Sequence, residues 1–287
     1  MKKLAVIAGG WHYPLHFYRS IQKQKIPAGW KVDLFSVGHR DPDDKIVSDE
    51  KSKYLSKFES DNDLIKMDNF LYKNIVTKKW FQNSKWNFWI DDNTIGDYAF
   101  FNQWSLKYNY SDYDVIFLVH DDNLIISDNL FTDLLESKSK MYCIKDRKIN
   151  PVKSDDNWLY IGNGWSPGYY NPRGSFGFFK KDLISMLGGN FKVDNIDLMR
   201  VGNKQTPDSH DDLSDWNQVT KNFIQFMERN NLLDKMYRLS DQYRISNYCI
   251  ECERGYVSKA RVTPSDYLSG LNNLKQTNNA VLNKAIL

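Results

Sequence analysis

Two adjacent carboxylates, Asp121 and Asp122, stand directly after the apolar run Val115–Val119 and His120. The run has the length and the Val/Ile content of a short strand buried on both faces. The acidic pair then falls at the strand's end, and in open α/β sheets ligands bind beyond the carboxyl ends of the strands. Oxygen ligands in that place suit a hard divalent cation, Mg2+ or Mn2+, which often shares its coordination with substrate phosphates. The competing reading is a solvated turn with an acidic cap for the next helix. A second acidic cluster, Asp208-Ser-His-Asp211-Asp212, precedes a helical pattern over about Asp215–Asn230. There the competing reading is an N-cap favoured by the helix dipole. Cys249-Ile-Glu-Cys252 has zinc or redox spacing, but no second Cys pair or close His pair completes four ligands.

The elements that must position these groups are legible in outline. Leu4–Ala8 reads as a first strand ended by Gly9-Gly10, His16–Gln24 as a helix, and Val32–Val37 as a second strand closed by Gly38-His39-Arg40-Asp41-Pro42. A β-α-β start implies a parallel pair. The glycine turn allows close backbone approach to a phosphate or nucleotide, although it lacks the GxGxxG of a nicotinamide site. Trp86–Ile90 reads as a third strand, and a helix over Asp97–Tyr108 puts Tyr98, Phe101, Trp104 and Tyr108 on one face. Ser127 or Asp128 is expected to cap a helix carrying Leu130, Phe131, Leu134 and Leu135. Met141–Ile144 and Gly174–Phe179 read as strands, and Lys181–Leu187 as a helix that Gly188-Gly189 terminates. Residues 41 to about 70 read as a charged flap, and 155–171 as a functional loop.

Composition narrows the class. A chain of 287 residues, 26% charged and 41% hydrophobic, can bury a sizeable core as one α/β domain or two small ones. A formal net charge of +3 gives no support for nucleic acid or an acidic membrane as partner. Aromatics reach 15%, more than a core needs, and sugar rings stack on such faces. The odd count of 3 Cys and an N-terminal apolar run too short for a secretory core or a membrane span point to a reduced, cytoplasmic setting.

Four pieces recur in a telling order. They are Asn93-Thr-Ile-Gly96; Asn102 within Phe-Phe-Asn-Gln-Trp; Asp112 through His120-Asp121-Asp122; and Gly174 through Gly189 followed by Asp211-Asp212-Leu-Ser-Asp-Trp216. In order and spacing they resemble the GT-A glycosyltransferases, most closely those of family 2, over roughly residues 1–230. The resemblance implies a GT-A-like α/β fold, a Rossmann-type mostly parallel sheet flanked by helices, as a single domain with a C-terminal helical extension. Its domain would span 1–235, with a donor half to about 125 and an acceptor half from 126, and the extension 236–287 would pack on it.

The resemblance also implies an inverting, metal-dependent hexosyltransferase that moves sugar from a UDP- or GDP-sugar to a glycan hydroxyl. Asp122 would hold the metal, and Asp121 would help or would bind the ribose. Ala8, Gly9, Gly10, His39, Arg40, Asp41, Asn93, Gly96 and Asn102 would line the donor. Asp212, or Asp211 beside it, would be the base. Trp165, Tyr169, Tyr170 and Arg173 would shape the acceptor site. The chain departs from the pattern with His-Asp-Asp for Asp-x-Asp, with Gly38-His39-Arg40-Asp41 where an acidic turn is common, and with Asp211-Asp212 for Glu-Asp. No later His offers a third metal ligand. Other readings are a catalytically silent sugar-binding domain, a nucleotidyltransferase on a similar sheet, and a phosphohydrolase using His120-Asp121.

Overall fold

A computed structural model describes residues 1–10, 12–43, 75–91, 98–143, 149–151, 157–163, 176–191, 223, 225–239, 246 and 248–251. Its strands are β1 (Lys2–Gly10), β2 (Trp30–Gly38), β3 (Trp86–Ile90), β4 (Val115–His120), β5 (Asn123–Ile125), β6 (Lys140–Cys143), β7 (Ile149–Pro151), β8 (Tyr160–Gly162), β9 (Phe176–Lys180), β10 (Met236–Arg238) and β11 (Cys249–Glu251). Nine of them form one sheet in the order β3-β2-β1-β4-β9-β8-β10-β6-β7, and β5 pairs with β11 separately. The pairings β3-β2, β2-β1, β1-β4 and β8-β10 are parallel, so within this sheet only β9 and β6 run against the rest. This is the α/β sheet flanked by helices expected from the sequence; it is mixed, with four of its eight pairings parallel.

The central strands are apolar on both faces because helices cover both. Val115, Phe117 and Val119 of β4 join Leu4, Val6 and Ala8 of β1 in one core, under helices α1 (Leu15–Gln22) and α4 (Leu130–Leu135). Helix α2 (Lys78–Gln82) adds Phe81 to the same layer. Ile116 and Leu118 face the opposite core with Ala5 and Ile7, against helices α3 (Ala99–Ser105) and α5 (Lys181–Met186). Phe117 stacks on its cross-strand partner Phe178 with ring centroids 4.0 Å apart. Fully burying a side chain of this size contributes about 1.5–3 kcal/mol.

Several local expectations change. Helix α3 begins at Ala99 and is shorter than 97–108, although Phe101 and Trp104 are buried as foreseen. Helix α4 is preceded by Asn129, which makes no side-chain cap bond, and the Ser127 hydroxyl instead accepts from the Asn129 amide at 3.1 Å. Gly188 and Gly189 both take φ of +84°, the left-handed end that stops α5. The segment after 235 enters the main sheet through β10 rather than lying on it. The 41–70 flap beyond Asp43, the 155–171 loop outside 157–163, and the helix before Phe223 lie outside the described residues, as does the chain beyond Glu251. Among the described residues no helix is long and apolar enough to cross a membrane.

Candidate active site

Parallel pairing brings four strand ends to one edge. Gly9 lies opposite His120 and Gly10 opposite Gly38. The ladder then runs one residue further on each strand. His39 N–H donates to the Gly10 carbonyl at 2.9 Å, Asp121 N–H to Gly9 at 3.1 Å, and Asp91 N–H to Gly38 at 2.8 Å. His39, Asp91, His120, Asp121 and Asp122 therefore collect around two glycines that present bare backbone. A Cβ on Gly9 would meet Phe100 at 3.0 Å and His120 at 3.2 Å, and one on Gly10 would meet the Tyr13 ring at 2.7 Å. Only glycine fits there without displacing the aromatic wall.

The two neighbouring aspartates do different work. Both lie in the turn between β4 and β5. Asp121 is 1% exposed, and its Oδ2 accepts from the His12 amide at 2.9 Å, the Tyr13 amide at 2.6 Å and the Tyr18 hydroxyl at 3.4 Å. It thus fastens the β1–α1 turn to the end of β4. The Tyr13 backbone is left-handed, with φ of 56°, a conformation costly for any residue but glycine. Three further anchors hold it: the Tyr13 carbonyl accepts from the Val76 amide at 2.8 Å, its hydroxyl donates to the Arg40 carbonyl, and its ring packs edge-on to Phe81 and Phe88. Burial, and then the Asp121 carboxylate, push the phenols of Tyr13 and Tyr18 well above their usual range, so both remain proton donors.

Asp122 is half-buried. The Asn123 amide lies 3.5 Å from its Oδ1. Among the described residues no group of three His, Cys, Asp or Glu side chains could hold a metal. One carboxylate completed by substrate phosphates and water is nonetheless a common seat for Mg2+, and Asp122 fits it. Asp121 anchors the turn through Oδ2.

The remaining expected residues divide. Ala8 is a fully buried β1 residue whose side chain joins the core, so it offers backbone only. Asp41 pairs with Lys78 and accepts from the Asp43 amide at 2.9 Å, contacts that hold its carboxyl below the ordinary range and tie the turn after β2 to α2. Asn102 clasps the chain after α5: its amide donates to the Phe191 carbonyl at 2.9 Å and its oxygen accepts from the Phe191 N–H at 3.1 Å. Asn93, Gly96, Trp165, Tyr169, Tyr170, Arg173, Asp211 and Asp212 lie outside the described residues. His12, Tyr13 and Asp91 were missed, although the rule that picked out Asp121, the polar residue just past an apolar run, also picks out Asp91.

His39 carries the site's clearest pH signature. Burial lowers its pKa from 6.5 to about 4, the nearby His120 adds to the effect, and a hydrogen bond to the Asp91 backbone opposes it. The folded pKa is below the unfolded one, so the unfolded chain takes up this proton first as pH falls. The contribution is whole above about pH 6.5 and is lost between 6.5 and 4, with a slope of at most about 1.4 kcal/mol per pH unit. Urea unfolding at pH 7, 5.5 and 4 is expected to show that loss, and His39→Gln should remove its share of the slope. Identical pH profiles for the two proteins would contradict the assignment.

No protein family and no curated protein matches this chain. Among solved structures it is similar to S. aureus TarS residues 1–349 in complex with UDP, at 14% identity and TM-score 0.42, over 96% of this chain and 65% of that one. It is also similar to the mannosyltransferase PcManGT from Pyrobaculum calidifontis in complex with GDP-Man and Mn2+, at 12% identity and TM-score 0.36, over 67% and 48% of the two chains. A third likeness is to the glycosyltransferase GlyE of Streptococcus pneumoniae TIGR4, at 10% identity and TM-score 0.36, over 84% and 46%. The chain thus spans about 65% of the length of the TarS chain it matches.

Proposed function

We propose that the chain is a metal-dependent, inverting glycosyltransferase that moves a sugar from a UDP- or GDP-sugar to an acceptor hydroxyl on a glycan or polysaccharide. The observation that carries this is the meeting of bare glycine backbone, Gly9-Gly10, with the half-buried Asp122 at the carboxyl edge of parallel strands. That edge is where α/β sheets take nucleotides and their phosphates. Asp122 would hold Mg2+ or Mn2+, and the metal would supply charge neutralisation for the departing nucleoside diphosphate. Gly9 and Gly10, against which Phe100, His120 and Tyr13 pack, bring the end of β1 to the place where the ribose and diphosphate would lie. His39, kept neutral by burial, spends its N–H on the Asp91 backbone and has its acceptor nitrogen to offer the base, with Arg40 and Asp41 beside it. Asn93 and Gly96 complete the donor side. Asp212, or Asp211, takes the proton from the acceptor hydroxyl, which Trp165, Tyr169, Tyr170 and Arg173 orient. Direct attack from the face opposite the leaving group inverts the anomeric carbon.

A thermal-shift panel tests this. UDP, GDP, CDP, ADP and their common sugar conjugates are added with and without Mn2+. A ligand that binds only the folded state raises its stability by mass action, about 2.7 kcal/mol at a hundred times Kd. A manganese-dependent rise with one base and not the others is the expected result. No shift with any nucleotide, or equal shifts with and without metal, would overturn the reading.

A further inference from the structure

The carboxyl edge extends beyond β4, and a second polar group waits on it. Asn163 follows β8 directly, and it is 4% exposed. Both atoms of its carboxamide, Oδ1 and Nδ2, are buried without a hydrogen bond. Buried polar groups are nearly always paired, and leaving one unpaired weakens the fold, so an amide with both ends idle demands a reason. The backbone around it does not recruit it, since the Gly162 carbonyl already accepts from the Leu239 amide at 2.9 Å.

Topology says what that reason is. β9 runs antiparallel to β4, and β8 antiparallel to β9, so β8 points the same way as β4 and ends on the same edge. The register Gly162 opposite Gly177 carries on to Asn163 opposite Phe176, and Phe176 lies opposite Val119. Two strand spacings, about 10 Å at the usual distance between strands, then separate Asn163 from Val119, three residues before Asp122. A sugar joined to a diphosphate held at Asp122 would meet the amide by extending along this edge toward β8. A carboxamide offers one acceptor and two donors, which matches a pair of neighbouring hydroxyls, each both donor and acceptor.

We infer that Asn163 is the residue that reads the hydroxyls of the donor sugar, and that its amide is left unpaired in the fold because the sugar pairs it. The inference rests on the nucleotide-sugar reading of the site. Sites built to hydrogen-bond a hydroxyl discriminate strongly against ligands that lack it, since the buried group is then unpaired again.

The test uses the full chain with Mn2+ and calorimetric titration of UDP, GDP, UDP-glucose, UDP-galactose, UDP-N-acetylglucosamine and GDP-mannose. Asn163→Leu keeps the side chain's shape and removes its hydrogen bonds, and Asn163→Ala provides a second variant should Leu pack badly. Affinity for the nucleotide sugar that the unmodified chain binds is expected to fall about ten- to a hundredfold, the range for two neutral hydrogen bonds. Affinity for the matching diphosphate should stay within about twofold, and the melting temperature of the free chain should hold or rise, because no intramolecular bond is lost. If sugar and diphosphate affinities fall together with the melting temperature, Asn163 serves the fold and the inference is wrong. Unchanged affinity for the nucleotide sugar also overturns it. Failure of the unmodified chain to bind any of the six would instead refute the proposed function, and this inference with it.

Discussion

Asp122→Ala is expected to abolish manganese-dependent binding of a nucleoside diphosphate and to leave the unliganded fold as stable as before. Asp122 is half-buried, whereas Asp121 is 1% exposed. Asp121→Ala should do the reverse. That side chain is 1% exposed and accepts from two backbone amides at 2.9 and 2.6 Å. Hydrogen bonds to a charged group contribute about 1.5–3 kcal/mol each. The variant would also leave the buried Tyr13 amide unpaired in a left-handed turn. A loss of at least about 3 kcal/mol is expected, read by urea unfolding. Calorimetry of the diphosphate with and without Mn2+ completes the comparison. Persistent metal-dependent binding in Asp122→Ala would dismiss Asp122 as the metal residue. Equal destabilisation by the two substitutions would show that the neighbours share one structural task.

Asp212→Asn is expected to lower turnover by at least about a hundredfold, the lower end of general-base catalysis, with donor affinity nearly unchanged. The motive is the acidic sequence Asp208-Ser-His-Asp211-Asp212 just before the helical pattern that carries Trp216. A group needed only in the transition state affects kcat far more than ground-state binding. Asn keeps the shape and much of the capping capacity, so a purely structural carboxylate would tolerate it. Turnover with the donor identified by the thermal-shift panel, and calorimetric donor affinity, separate the two cases. If Asp211→Asn is the damaging change, the role moves by one residue. Near-normal rates for both would mean that the pair caps a helix and the base lies elsewhere.

The long apolar runs of this chain disclose their structure, and the short ones do not. Leu4–Ala8, Val115–Val119 and Trp86–Ile90 carry enough consecutive apolar residues to announce β1, β4 and β3, whose ends form the site. By contrast β5, β8, β10 and β11 have three residues each, too few to display a period of two. Their existence depends on partners far along the chain, as when β11 finds β5. The acidic pair was visible, but its division of labour was not. Both acids fall in the turn after β4, and nothing local separates them. Only the folded turn at His12 and Tyr13, more than a hundred residues earlier, says which one is engaged. The clasp that Asn102 makes was hidden for the same reason, since its partner Phe191 lies 89 residues later. Asn163 lay within a stretch expected to be functional, and its importance emerged only once its neighbours were seen to leave it unpaired.

The placing of β10 between β8 and β6 has a consequence for synthesis. A chain leaves the ribosome N-terminal end first, at about 5–20 residues per second. β6, β7, β8 and β9 therefore all emerge before the strand that joins their two groups. Until Met236–Arg238 arrives, β8 and β6 each present a row of unpaired amides and carbonyls, the kind of edge that recruits stray strands from other molecules. The sheet therefore cannot close beyond β8 until that strand has been made. That interval is when a chaperone would help most and when aggregation would begin.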